Sequence, residues 1–207
     1  MENGEIICPR RRTRTGDYRE LAAKGSYSVI LVVLGLVALR PVMVNHILSR
    51  ADAYSTFGLY EESKRQCTKA LLLDNDNSEA WCRLARIHRA QGNQEMAYGA
   101  YQMAAQADAT NKPAHFELAG MYAQDELYQQ AISYLEQVRK LGPDKPKHLH
   151  ASGFPYHQAS LGLLALCYEK AGDIDKAEFT LEEIRVFYPE DAKADARLAK
   201  LKQAHKK

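Results

Sequence analysis

An alanine returns at Ala51, Ala85 and Ala119, 34 residues apart, and again at Ala165 after one interval stretched by 12. A period of that length constrains a chain more than any local pattern does. It means that one supersecondary unit is used several times and that each copy must bury itself against the next. With Ser78 as the first position of a unit, Trp81, Leu84, Ala85 and His88 fall at positions 4, 7, 8 and 11. That is the i, i+3, i+4, i+7 stripe of an amphipathic helix. Ala97, Tyr101 and Ala104 fall at positions 20, 24 and 27 and mark one face of a second helix. Gly92-Asn93 supplies the turn between the two.

The same positions recur along the chain. From Lys112 they are Leu118, Ala119 and Tyr122, then Ala131, Leu135 and Val138, with Pro143 near the end. From Gln158 they are Leu164, Ala165 and Tyr168, then Gly172, Ala177, Leu181 and Ile184, with Pro189 as terminator. From Val44 they are Ala51, Tyr54, Gly58 and Ala70. The expected units are therefore 44–77, 78–111, 112–145 and 158–191, with an insertion at 146–157 and a closing helix over 192–207. Small residues at positions 8 and 20 let paired helices approach closely. Neither helix can bury its stripe alone, so the units must stack. Pro113 suits the first turn of a helix. Ser63 and Cys67 depart from the pattern in the first unit, and Asp125 stands where the third unit would have glycine.

These residues resemble the tetratricopeptide repeat pattern, Trp-x2-Leu-Gly-x2-Tyr followed by Ala-x3-Phe, Ala and a late Pro, over residues 44–191. The resemblance implies an all-α fold: a right-handed solenoid of about four helix pairs plus a capping helix. It also implies a groove that binds peptides or proteins, faced by the first helix of each unit through positions 2, 5, 9, 12 and 13. On this chain those positions include Asp52, Cys82, Arg86, Arg89, Phe116, Gln124, Glu169 and Lys170. Arg86 and Arg89 lie three apart on one face and are placed to clasp a carboxylate, with Phe116 as an apolar neighbour. The family's clamp for C-terminal carboxylates, built on Lys and Asn, has no counterpart here: position 9 is Asp52, Arg86, Gly120 and Leu166.

The second constraint lies upstream. Tyr27 to Leu39 reads YSVILVVLGLVAL, and the apolar stretch continues past Arg40-Pro41 to Val44. Eighteen residues at about 1.5 Å each span roughly 27 Å, close to the ~30 Å of a bilayer core. Val, Ile and Leu occupy every face, so the run lacks the stripe of a core helix. Ala51-Asp52-Ala53 resembles a signal cleavage site but lies too far beyond the run. One transmembrane helix over 26–44 is therefore expected, preceded by a basic segment, 1–25. Pro41 either starts the first repeat helix or sits within a continuous one. Residues 1–43 carry seven Lys/Arg against four Asp/Glu, whereas the remainder carries 21 against 22. The positive-inside rule then puts the N-terminus in the cytoplasm and the repeats across the membrane, periplasmic in a bacterial inner membrane.

A net charge of +2 is too small for a dedicated nucleic-acid binder. No Gly-rich phosphate loop, G-x-S-x-G elbow or HExxH is present, and no enzyme or cofactor is expected. The four cysteines form no CxxC pair. His148, His150 and His157 in the insertion are weak metal candidates, since no Cys or carboxylate lies among them. The expected role is a membrane-tethered interaction scaffold or assembly factor for protein or peptide partners, of an envelope or membrane complex. The alternative is a permanent structural subunit held through its transmembrane helix, although Gly35 alone makes no GxxxG packing motif.

Overall fold

In the computed structural model, residues 15–143 and 155–205 are described, with side chains from Leu34 onward except those of Leu36 and His205. Nine helices run through the described residues: α1 Thr15–Thr56, α2 Tyr60–Leu73, α3 Ser78–Ala90, α4 Gln94–Ala107, α5 Lys112–Gln124, α6 Tyr128–Leu141, α7 Tyr156–Lys170, α8 Ile174–Phe187 and α9 Ala192–His205. Pro41 lies inside α1, not at its start. The chain divides between Met43 and Val44, within that helix. Judged on the described residues, no helix is long and apolar enough to cross a membrane. The side chains of 26–33, within the expected span, lie outside those described.

From Val44 onward the helices pair as antiparallel hairpins, and the alanines explain how closely. Ala85, Ala119 and Ala165 are fully buried, as are their counterparts Ala97, Ala131 and Ala177 on the second helices. Tyr101, Leu135 and Leu181 fill the next layer outward, 0 to 1% exposed. The first pair shows what a departure costs and how it is met. Ser63 sits where alanine would, 1% exposed, and its hydroxyl donates to the Ala51 carbonyl at 2.7 Å, so the buried polar atom is satisfied.

Each hairpin turn closes in the same way. The N–H of Leu59, Asn93, Leu127 and Asp173 donates back to the carbonyl of Tyr54, His88, Tyr122 and Tyr168, at 2.9 Å in every case. This bond requires the preceding residue to adopt the left-handed region. Gly58, Gly92 and Gly172 do so at φ 73°, 79° and 85°. In the third turn the residue is Glu126, at φ 60°, not the Asp125 expected from sequence. The turn is conserved in geometry at the cost of strain on a residue that carries a Cβ.

The starts of α3 and α5 are fixed by asparagines. Asn77 Oδ1 accepts from Ala80 N–H and Asn111 Oδ1 from Ala114 N–H, both at 2.9 Å. Asn111 also donates to Ser78 Oγ, which in turn donates to the Ala104 carbonyl at 2.8 Å. One polar chain thus ties α3, α4 and the start of α5. At the far end α9 packs on α8 with Ala194, Leu198 and Leu201 turned inward. Helix α7 begins at Tyr156, so Tyr156 and His157 belong to a helix, although the sequence places them at the end of the insertion.

Candidate partner-binding face

Helices α3, α5 and α7 are the first members of three successive hairpins, and α5 touches α7 directly. Their closely packed faces are spent on the core, which leaves the opposite faces to form a common surface. Side chains from all three meet there. Phe116 of α5 and Tyr156 of α7 stand edge to face, with ring centroids 5.8 Å apart. This geometry aligns the positive edge of one ring with the negative face of the other. Burial pushes the Tyr156 hydroxyl above its ordinary pKa, while the positive charge of Arg86 on α3 pulls the other way. The Arg86 charge on α3 thus acts on Tyr156 of α7.

The charges on this surface are paired. Arg89 of α3 forms an ion pair with Glu117 of α5, and the side chains remain 44% and 18% exposed. Burial opposes the Arg89 charge, yet Glu117, helped by Tyr101 and Tyr156, holds its pKa above the usual arginine value. Arg86, 37% exposed, lies 3.8 Å from the Glu79 carboxylate. Beneath them the Tyr101 hydroxyl is fully buried and finds no hydrogen-bond partner among the described residues. Burial raises its pKa strongly, and Glu117 adds to the rise. It is a neutral donor at physiological pH.

Of the eight residues expected to face a groove, Arg86 and Arg89 share α3, and Arg89 pairs with Glu117, the residue after Phe116 on α5. Asp52 is exposed but committed: Arg83 grips it with Nε and Nη2 at 2.7 and 2.9 Å. Glu169 is held by Arg197 of α9 at 2.7 Å. Gln124 and Lys170 are exposed at the C-terminal ends of α5 and α7, away from the aromatic pair. Cys82 differs from the expectation. It is 1% exposed and its thiol lies 3.7 Å from Asn111 Oδ1, inside the seam between units, with burial pushing its pKa up to about 12. Cys67 and Cys167 are likewise buried, each pushed up by burial to about 11.

The sequence reading missed Glu117 and Tyr156. Their roles depend on how neighbouring units are rotated, which periodicity within one helix does not report. His157 is 1% exposed and its Nδ1 lies 2.9 Å from the Tyr188 hydroxyl, with Phe187 packed edge-on against the ring. It serves the seam between α7 and α8. His148 and His150 lie outside the described residues. Among the described residues no three His, Cys, Asp or Glu gather as a metal site would require.

Tetratricopeptide repeat family models match residues 47–77 and 128–202, together just over half of the chain. Solved structures share the fold. The chain is similar to Pseudomonas aeruginosa PilF, with a TM-score of 0.62 at 17% identity over 81% of this chain and 71% of that one. It is similar to YrrB, described as a tetratricopeptide protein with an unusual peptide-binding site, at 0.60 and 16% over 77% and 76%. It is also similar to the Yersinia enterocolitica type III secretion chaperone SycD, solved in complex with a peptide of the translocator YopD, at 0.52 and 21% over 62% and 95%. At these identities the likeness concerns the fold alone. No curated protein matches the chain.

Proposed function

The chain belongs to the tetratricopeptide repeat family, and from that we propose that it is a membrane-tethered scaffold or assembly factor that takes a protein or peptide partner on the α3–α5–α7 face. The observation that carries this reading is the convergence of Arg86, Arg89, Phe116 and Tyr156, all partly exposed, from three successive helices. Arginine and tyrosine are over-represented among residues that dominate binding energy. The arginines are preorganised by Glu79 and Glu117, so an acidic partner group would exchange one carboxylate for another without reorienting the guanidinium. The peptide held by SycD and the peptide-binding site named for YrrB support the class of partner.

The tether over 26–44 is supported by the apolar run and by what its described side chains do. Leu34, Val37, Leu39, Val42 and Met43 are 48 to 64% exposed. A cluster of large aliphatic side chains facing outward is at home in hydrocarbon and costly in water. On this reading the basic segment before it favours an N-terminus in the cytoplasm and repeats on the opposite side, periplasmic in a bacterial inner membrane, where the partners would belong to an envelope complex. Alkaline carbonate washing of membranes should leave the full-length chain in the pellet. Release into the wash would remove the tether from this reading.

The partner claim is tested by crosslinking and affinity purification from detergent-solubilised native membranes, beside an Arg86→Glu/Arg89→Glu variant of unchanged helicity. Loss of specific partners from the variant supports the face as the docking site. Identical partners from both proteins would replace this reading with that of a permanent subunit held through residues 26–44.

A further inference from the structure

The first hairpin gathers three helices at one end. Val44 and Leu48 of α1, Ala70 near the end of α2 and Ala80 at the start of α3 are buried in one cluster, with Leu71 and Leu73 packed against it. Val44 is also the last residue of the expected span. The end of α2 and the start of α3 therefore lie level with the point where a tethered chain leaves the hydrocarbon.

This end carries an apolar side chain that the domain itself does not use. Leu72 is 81% exposed, between two leucines that pack inward. A lone exposed leucine is ordinary, but this one has neighbours suited to a single environment. Trp81, the only tryptophan of the chain, is half-buried at the same end, where its Nε1 donates to the Asn75 carbonyl at 2.8 Å. Lys69 is exposed one turn before Leu72, about 4.5 Å farther from the helix end. It forms no ion pair among the described residues. Asp74 is half-buried and accepts from Asn77 Nδ2 at 3.0 Å, whereas Asp76 is exposed in the same loop. An apolar tip can enter the boundary between headgroups and acyl chains while a long cation one turn behind it reaches a phosphate. Tryptophan is at home at the headgroup level. Two exposed charges of opposite sign match a zwitterionic headgroup: its phosphate suits Lys69 and its ammonium suits Asp76.

We propose that this end of the first hairpin rests on the bilayer surface, with Leu72 in the interface, Trp81 at headgroup level and Lys69 on a lipid phosphate. The inference rests on the reading that residues 26–44 tether the chain, and it adds a second contact with the same membrane. One span leaves the hairpin free to swivel above the lipid. A second contact removes that freedom.

The single tryptophan supplies the test. The full-length chain is reconstituted in phosphatidylcholine vesicles and in matching vesicles whose acyl chains carry bromine near the headgroup, which quenches tryptophan at short range. Trp81 should lose most of its fluorescence in the brominated vesicles. Leu72→Asp should restore much of it, while the melting temperature holds because the side chain is exposed and carbonate washing still leaves the chain in the pellet. Trp81→Phe/Phe57→Trp moves the fluorophore to the other end of the hairpin, where Phe57 is 80% exposed, and should abolish the quenching. Equal Trp81 fluorescence in the two vesicles, quenching unchanged by Leu72→Asp, or equal quenching of the displaced tryptophan would each overturn the proposal. Release of the chain by carbonate would remove the tether together with this contact, whereas a retained chain with an unquenched Trp81 would remove this contact alone.

Discussion

Helices α3, α5 and α7 each have two long faces, and the two obey different rules. On the face toward the paired helix the units are nearly interchangeable: Ala85, Ala119 and Ala165 are all fully buried, opposite Ala97, Ala131 and Ala177. On the face shared with neighbouring first helices nothing repeats. Arg86 and Arg89 come from α3, Phe116 and Glu117 from α5, and Tyr156 from α7. The seam must solve one packing problem several times. The outer surface has no such demand and is free to carry a composite pattern that no single unit contains. Stability therefore belongs to the seam, and under the proposed function recognition belongs to the variable face.

The largest way to break that contrast is in the seam. Leu135→Ala and Leu164→Ala remove fully buried side chains and should each cost about 2–5 kcal/mol in chemical denaturation. Arg86→Glu/Arg89→Glu should reduce partner capture about tenfold or more while costing about 1–2 kcal/mol of stability, because two partly exposed ion pairs are lost and each new carboxylate faces Glu79 or Glu117. A denaturation midpoint falling as far as that of Leu135→Ala would erase the distinction between the two faces.

Smaller effects sharpen it. The shared turn geometry predicts opposite signs at equivalent positions. Gly92→Ala should lose about 1 kcal/mol, whereas Glu126→Gly should gain about 0.5–1 kcal/mol by relieving a left-handed residue. Matched thermal melts would show both. Cys82 reports which face it belongs to. In a Cys8→Ser/Cys67→Ala/Cys167→Ala background its thiol, pushed up to about 12 and buried, should resist disulfide-exchange reagents at pH 8 until the protein unfolds. Immediate labelling would return it to the groove.

The seam was legible in the sequence because close helix pairing demands a small residue at one place in every unit. The turns were legible in the sequence: the 34-residue step from Gly92 lands on Glu126, and the assignment to Asp125 missed it by one residue of counting. The variable face was legible only in part. Counting positions places Arg86, Arg89 and Phe116 on it but assigns Cys82 by the same count. At that position Phe116 remains half-buried beside Tyr156, whereas Cys82 lies against Asn111, whose side chain is already fixed by Ser78 and Ala114. Position along a helix gives direction, and depth is set by what the next unit places above it.

The central claim is that partners dock on the α3–α5–α7 face. Its most direct test is site-specific photocrosslinking of the full-length chain in native membranes. Benzoylphenylalanine would replace Phe116 or Tyr156 on that face, and Leu72 or Val186 on the second helices, where they are 81% and 76% exposed. The account predicts a discrete partner adduct from 116 and 156 and none from 72 and 186. Adducts from 72 and 186 with none from 116 and 156 would contradict it.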